Sequence, residues 1–257
     1  MHLPSFKYTL KISYLGHNYN GLQKQNNTKN TIQQLLEEVI TKVFHTKISS
    51  FECVSRTDKG VHAKENYIGL SLLDKIDEKN FLFKINKNLP IDIRVLEIRP
   101  YPNGRSLTSL VKAKTYRYYF TQMIPSANTY AWVDHRQVNF NLTKMKKAAK
   151  YFKGKKNFSD FHISGHRNPS VWRVIEKIKV KQHKDNNHIY YIEIKASGFL
   201  KYMARYICEA LFMYSDQKIN KKLLKKSLSG KFHLENLKKA PSKGLSLYKV
   251  HFQKNHF

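Results

Sequence analysis

Acidic side chains are scarce in this sequence: 257 residues carry 18 Asp+Glu against 47 Lys+Arg, a formal net charge of +29. So large an imbalance excludes a charge-neutral surface and calls for a polyanionic partner, whether a membrane surface, an acidic protein or nucleic acid. The basic residues are spread over nearly the whole chain rather than gathered on one amphipathic helix, which favours nucleic acid. Lysine bias takes a share of the excess, because only nine of the basic residues are arginine and 38 are lysine. Cysteine is scarce as well. Cys53 and Cys208 lie far apart without CxxC neighbours, which argues against a disulfide framework or a cysteine zinc site and leads us to expect two buried free thiols. No run approaches the roughly 18 apolar residues of a membrane span, and Met1-His2-Leu3-Pro4 lacks the basic-then-apolar start of a signal peptide. A cytoplasmic protein without membrane attachment is expected. The Walker A, GxGxxG, HExxH and GxSxG patterns are all missing, which removes the usual supports for nucleotide cofactors, zincin chemistry and elbow-serine hydrolysis. His162 and His166 share an i,i+4 spacing, but Ser164-Gly165 between them reads as a turn, so no metal is expected there.

What is present suffices for a folded core, with 41% hydrophobic and 13% aromatic residues. Phe6, Tyr8, Leu10, Ile12 and Tyr14 alternate with polar or small residues, the period of a half-buried strand. Ile32, Leu35, Leu36, Val39, Ile40 and Val43 repeat at helical spacing behind a Thr31-x-x-Gln34 capping box. Strands are expected at 48–54, 67–73 and 91–98, with a helix at 78–88. The second half repeats the order: a strand at 113–122, a helix at 142–152, a hairpin of 171–182 and 188–196, helices at 200–213 and 221–229, and a last strand at 245–252. Two successive βαββαβ units are the ferredoxin-like order of an α+β fold. The boundary is placed where Pro and Gly cluster, giving halves 1–103 and 104–257, with a cleft between them as the default site.

The segment Ser55-Arg56-Thr57-Asp58-Lys59-Gly60-Val61-His62 stands out. It places a carboxylate in a Gly-containing loop, with a cation two residues before it and another directly after. Neighbouring positive charge favours its ionised form, available as nucleophile or base. From spacing alone, an ordinary turn-capping Asp with a solvated Arg56 is the favoured reading.

Six segments in order resemble the tRNA pseudouridine synthase A family, essentially from end to end. They are Ile12-Ser13-Tyr14-Leu15-Gly16 through Tyr19-Asn20-Gly21-Leu22-Gln23-Lys24-Gln25 with Thr31-Ile32-Gln33 behind it, Arg56-Thr57-Asp58-Lys59-Gly60-Val61-His62-Ala63, Asn86-x-x-Leu89-Pro90-x-Asp92-Ile93, Lys114-x-Tyr116-Arg117-Tyr118, Phe199-Leu200-x-x-Met203-x-Arg205 and Ala240-Pro241-x-x-Gly244-Leu245. The resemblance implies isomerisation of uridine to pseudouridine in the anticodon stem-loop of tRNA, at positions 38 to 40, without a cofactor. It implies two α/β halves forming one extended antiparallel sheet with helices on one side, a basic central cleft and a homodimer. It makes Asp58 the essential carboxylate, attacking ribose or base or taking a sugar proton to give a glycal. It makes Tyr116 the ring that packs on the extruded base and Arg205 the partner that holds Asp58 ionised. Arg56 would lie against the RNA, and Leu245 would wall the base pocket. The sequence departs from the family pattern at Leu22 (usually Trp), Ser55 (Gly), Lys59 (a small residue) and Asn66 (Gln), and Ser106-Leu107-Thr108-Ser109 does not match its Phe-x-Ala-Arg element. The alternative is a non-catalytic basic RNA-binding protein of the same fold.

Overall fold

A computed structural model describes residues 6–102, 105–137, 140–163 and 170–253. His166 and the predicted boundary at 103–104 lie outside the described residues. The chain divides into two compact units, one formed by Met1–Lys112 with Leu247–Phe257 and the other by Ala113–Ser246.

The first unit begins with β1 (Phe6–Tyr14), α1 (Ile32–Phe44), β2 (Ile48–Cys53), β3 (His62–Leu72), α2 (Glu78–Asn88) and β4 (Ile93–Pro100). Its strands pair antiparallel, β1 lying between β4 and β3, with β2 also on β3. The alternation in β1 buries Tyr8, Leu10, Ile12 and Tyr14 against the helices. Ile32, Leu36 and Ile40 of α1 and Phe81 and Ile85 of α2 complete this core, and the Phe44 and Phe81 rings stack at 4.5 Å. Half of the expected capping box forms. Thr31 Oγ1 accepts from the Gln34 amide, but the Gln34 side chain donates forward to Glu38 instead of back to Thr31.

The second unit holds β5 (Val111–Thr121) from Ala113 onward, β6 (Asp134–His135), α3 (Leu142–Phe152), β7 (Gly154–Asn157), β8 (Trp172–Gln182), β9 (Tyr190–Ala196), α4 (Met203–Ser215) and α5 (Lys221–Ser227). The sheet order is β5-β9-β8-β7, all antiparallel, with the two-residue β6 parallel to β5. A last strand, β10 (Leu245–Phe252), starts in this unit and from Leu247 belongs to the first, where it lies beside β3. α4 is the most deeply buried helix, with Met203, Ala204, Arg205, Ile207, Cys208, Ala210, Leu211 and Phe212 all inside. Beneath it Tyr118 donates to Asp134 at 2.7 Å, while Arg136 pairs with Asp134 and Glu209 and lies 3.9 Å from the centre of the Phe212 ring. No described helix is long and apolar enough to cross a membrane.

Several expected boundaries move. β3 starts at His62, five residues early, because Ala63 and Asn66 pair with Tyr14 and Ile12 despite the charged Lys64 and Glu65 between them. β4 starts at Ile93 rather than 91, leaving Ile91 89% exposed. α4 starts at Met203 rather than 200, because Tyr202 sits at φ 63°, outside helical geometry. α5 stops at Ser227, two residues short of the expected end. Cys208 is buried as expected, whereas Cys53 is only half-buried; both thiols are free.

The stretch that fails to match Phe-x-Ala-Arg has a different task here. Glu52 Oε1 accepts from Ser106 Oγ (2.6 Å) and the Thr108 amide (2.9 Å), and Oε2 accepts from Tyr101 Oη (2.6 Å) and the Leu107 amide (3.2 Å). Burial alone would raise the Glu52 pKa, but the bonds from Ser106, Tyr101 and Thr108 bring it down to about 2. A carboxylate whose folded pKa lies below its unfolded value stabilises fully above the unfolded value near 4.5, and loses that contribution as pH falls toward 2. Glu52→Gln presents an amide donor to donors. The expected cost at pH 7 is ~1 kcal/mol, below the range for buried charge-assisted bonds because the group is partly solvated. In urea unfolding, the gap between wild type and variant should shrink steadily from pH 5 to pH 3.

Candidate active site

Asp58 sits in the loop between β2 and β3, half-buried, with Ser55, Thr57, Gly60 and Val61 buried around it and Arg56 and Lys59 exposed. The backbone of this loop is fastened at nearly every residue. The Leu22 amide donates to Thr57 O (3.1 Å), the Gly60 amide to Tyr19 O (3.2 Å) and the Val61 amide to Asp58 O (3.1 Å). Tyr14 Oη and Thr57 Oγ1 share a 2.7 Å hydrogen bond. Asn66 Nδ2 donates to Ser55 O at 2.8 Å, and its Oδ1 accepts from the Tyr67 amide. His62 Nδ1 accepts from the Gly16 amide at 2.9 Å, which fixes its tautomer with the proton on Nε2. The segment from Tyr14 to Leu22 therefore acts as a brace for the carboxylate's loop.

Two glycines let the brace come this close. A Cβ on Gly16 would overlap the Val61 carbonyl, and one on Gly21 would lie 2.7 Å from Thr57 O, at a φ of +100° that favours glycine in any case. The brace is itself tied back: Tyr19 Oη donates to Asp92 Oδ1 at 2.5 Å, the Leu15 amide to Asp92 O, and Asn86 bonds both the amide and the carbonyl of Val95. Leu22, where the family usually has Trp, is fully buried. Three of the resembling segments thus converge in the first unit on one aspartate.

The other candidates lie in the second unit. Tyr116 on β5 is 8% exposed and meets the Phe199 ring edge-on at 4.9 Å. Arg205, 7% exposed on α4, donates from Nε to Ala240 O at 2.6 Å, and the Ala240 amide returns a bond to Arg205 O. Leu245 opens β10, buried. A Cβ on Gly244 before it would press on the Tyr118 ring and Tyr119 O. The segments of Tyr116, Arg205 and Leu245 are therefore knitted together, as those of the first unit are around Asp58. Lys114, two residues before Tyr116 on the same strand, has its pKa lowered to about 8 by burial.

Asp58 is the loop's candidate for chemistry. Cys53, at the end of β2, is a poor alternative nucleophile, because burial pushes its thiol up to about 12. Glu65 is engaged by Lys11 Nζ at 3.0 Å and by the Val250 amide. Among the described residues no three His, Cys, Asp or Glu side chains gather as metal ligands. Sequence reasoning missed Tyr14, Asn66 and His62 as supports of the loop. Their signal was the buried polar side chain at an inward strand position, visible only once the register of β1 against β3 is known.

Comparison with known proteins supplies the context. A family model described as tRNA pseudouridine synthase matches residues 148–253, and one described as an uncharacterized protein conserved in bacteria matches residues 41–187. The chain is 31% identical over 247 residues to a Ruminiclostridium cellulolyticum protein named tRNA pseudouridine synthase A, covering 96% of this chain and 99% of that one. Proteins of the same name from Phytoplasma mali (31% over 250 residues) and Aster yellows witches'-broom phytoplasma (32% over 254 residues) each align over 97% of this chain and their full length.

Proposed function

The chain belongs to the tRNA pseudouridine synthase family, and from that premise we propose that it isomerises uridine to pseudouridine in the anticodon stem-loop of tRNA, at positions 38, 39 or 40. Asp58 is the essential carboxylate. Tyr116, Arg205, Arg56 and Leu245 bind the substrate. The reaction breaks the N1–C1′ bond, turns the base and joins C1′ to C5. The C5 proton departs and N1 gains one, so no atom is added and no net electrons move, and the reading needs no cofactor. The protein acts in the cytoplasm as a homodimer.

The observation that supports this reading best is the fastening of the Asp58 loop. A turn-capping aspartate needs no such support, whereas a carboxylate that must meet one carbon of one nucleotide does, because misplacement by about 1 Å costs roughly 100-fold in rate. Reaching it requires the uridine to leave its stack, at a cost of about a few kcal/mol. A buried tyrosine with one ring edge already packed, as Tyr116 has against Phe199, can offset part of that without losing side-chain entropy.

Incubation of the protein with unmodified tRNA transcripts, followed by chemical mapping of pseudouridine, tests the proposal. Conversion confined to positions 38–40 is expected. Tight tRNA binding with no modified base would instead establish a non-catalytic RNA-binding protein. Light scattering at micromolar concentration checks the dimer, for which twice the 30.3 kDa chain mass is expected.

A further inference from the structure

The segments around Arg205 carry a cluster that the proposed chemistry does not use. Tyr202, directly before α4, is surrounded by cations: Lys239 Nζ lies 4.2 Å from its ring centroid, Lys201 Nζ 5.3 Å and the Arg205 guanidinium carbon 5.5 Å. The arrangement is built from three stretches of chain. The turn before α4 supplies Lys201 and Tyr202, with Tyr202 at a φ of 63° that a tyrosine seldom adopts. The two hydrogen bonds between Arg205 and Ala240 then bring Lys239 onto the ring. Other described rings carry one lysine each, as with Lys225 on Tyr151 and Lys64 on Tyr248.

Lys201 and Lys239 are exposed, and neither takes part in an ion pair among the described residues. The face of the ring attracts each ammonium group, but the two ammonium groups repel one another, and an anion placed between them relieves that repulsion. A carboxylate of the protein would be the usual answer, yet among the described residues neither lysine is paired with one. We propose that Lys201, Tyr202 and Lys239 form a phosphate-binding site for the RNA backbone beside the uridine that Arg205 helps to bind. This site rests on the reading of Arg205 as a substrate-binding residue. The two ammonium groups take the non-bridging oxygens of one phosphodiester, and the tyrosine ring draws both lysines to it. Contacts of this kind set the register of an RNA on its enzyme without reading its bases.

The test is a salt titration of the full-length protein binding an unmodified tRNA transcript. Joint replacement Lys201→Met and Lys239→Met is expected to weaken binding about 10-fold near 0.15 M salt and to make the log–log slope shallower by roughly 0.7–0.9, one phosphate's worth. The pair Lys201→Arg and Lys239→Arg should restore both, and Lys225→Met, which removes one positive charge from α5, should change neither by more than about twofold. In turnover assays the double Met variant should raise KM while kcat stays within about threefold. Unchanged affinity and slope in the double Met variant would overturn the site. So would an equal effect of Lys225→Met, which would mean diffuse charge alone. A wild-type protein that binds tRNA through these lysines but converts no uridine would overturn the functional reading and leave the site standing.

Discussion

Asp58→Ala is expected to remove pseudouridine formation, by about 10⁴-fold or more, while the protein stays folded and holds tRNA with affinity within a few-fold of wild type. The magnitude follows from the role proposed for Asp58 at the reacting centre, where no neighbouring group can replace it. The nearest acid along the chain after Asp58, Glu65, is committed to Lys11 and the Val250 amide. The thiol of Cys53 is held protonated by burial. The fold should survive because the fastenings of the loop run through the Thr57 carbonyl and hydroxyl, the Ser55 carbonyl, the Gly60 and Val61 amides and the Asp58 carbonyl, all of which alanine preserves. Asp58→Asn should lose activity to the same degree with even less structural change. Single-turnover conversion at saturating enzyme, beside tRNA binding and thermal unfolding, separates these quantities. Residual conversion above a percent of wild type in either variant would show that the carboxylate is not essential.

How much of this was legible in the sequence depends on how each feature is encoded. α3 could be bounded to the residue, because Asn141 caps it through the Lys144 amide and Met145, Ala148, Ala149 and Phe152 form a clean inward stripe. β3 could not. Its first residues, His62 to Asn66, bury polar and small side chains that mean nothing until Tyr14 is opposite Ala63. β7 is four residues of Gly, Lys, Lys and Asn, and becomes a strand only because β8 offers it an edge. Local pattern reports burial well when the buried group is apolar, and poorly when a long-range hydrogen bond pays for the burial.

The site shows the same division. Asp58 is nominated by its own loop and by the resemblance, since that signal is contiguous. Its supports come from three other stretches of chain and look ordinary where they stand: Tyr14 as one more inward residue of β1, Asn66 as a polar residue in a charged run. Tyr202 with Lys239 is less legible still, because 37 positions separate them in sequence and only the Arg205–Ala240 contact closes the gap. The glycines of the brace lie between these cases. Gly16 and Gly21 belong to a recognisable segment, but what each makes room for is a carbonyl more than 35 positions away.

That geometry gives the second large effect, expected from a single methyl group. In Gly21→Ala the new Cβ would meet Thr57 O at 2.7 Å and come within 3.3 Å of the Asp58 carbonyl carbon and the Lys59 amide, so it presses backbone on backbone with no flexible side chain to yield. The φ of +100° adds strain for any residue with a Cβ. Because the Leu22 amide holds Thr57 O and the Ile32 amide holds Gly21 O, the brace cannot retreat freely, and the loop carrying Asp58 must move. A displacement approaching 1 Å should lower kcat about 100-fold, with a stability loss of about 1–3 kcal/mol and tRNA affinity nearly unchanged. Gly154→Ala is the control: φ is +87°, but nothing lies within 4 Å of its Cβ, so it should show the strain in unfolding and leave kcat alone. If Gly21→Ala keeps kcat within threefold while losing stability as Gly154→Ala does, the brace supports the fold and not the aim of Asp58.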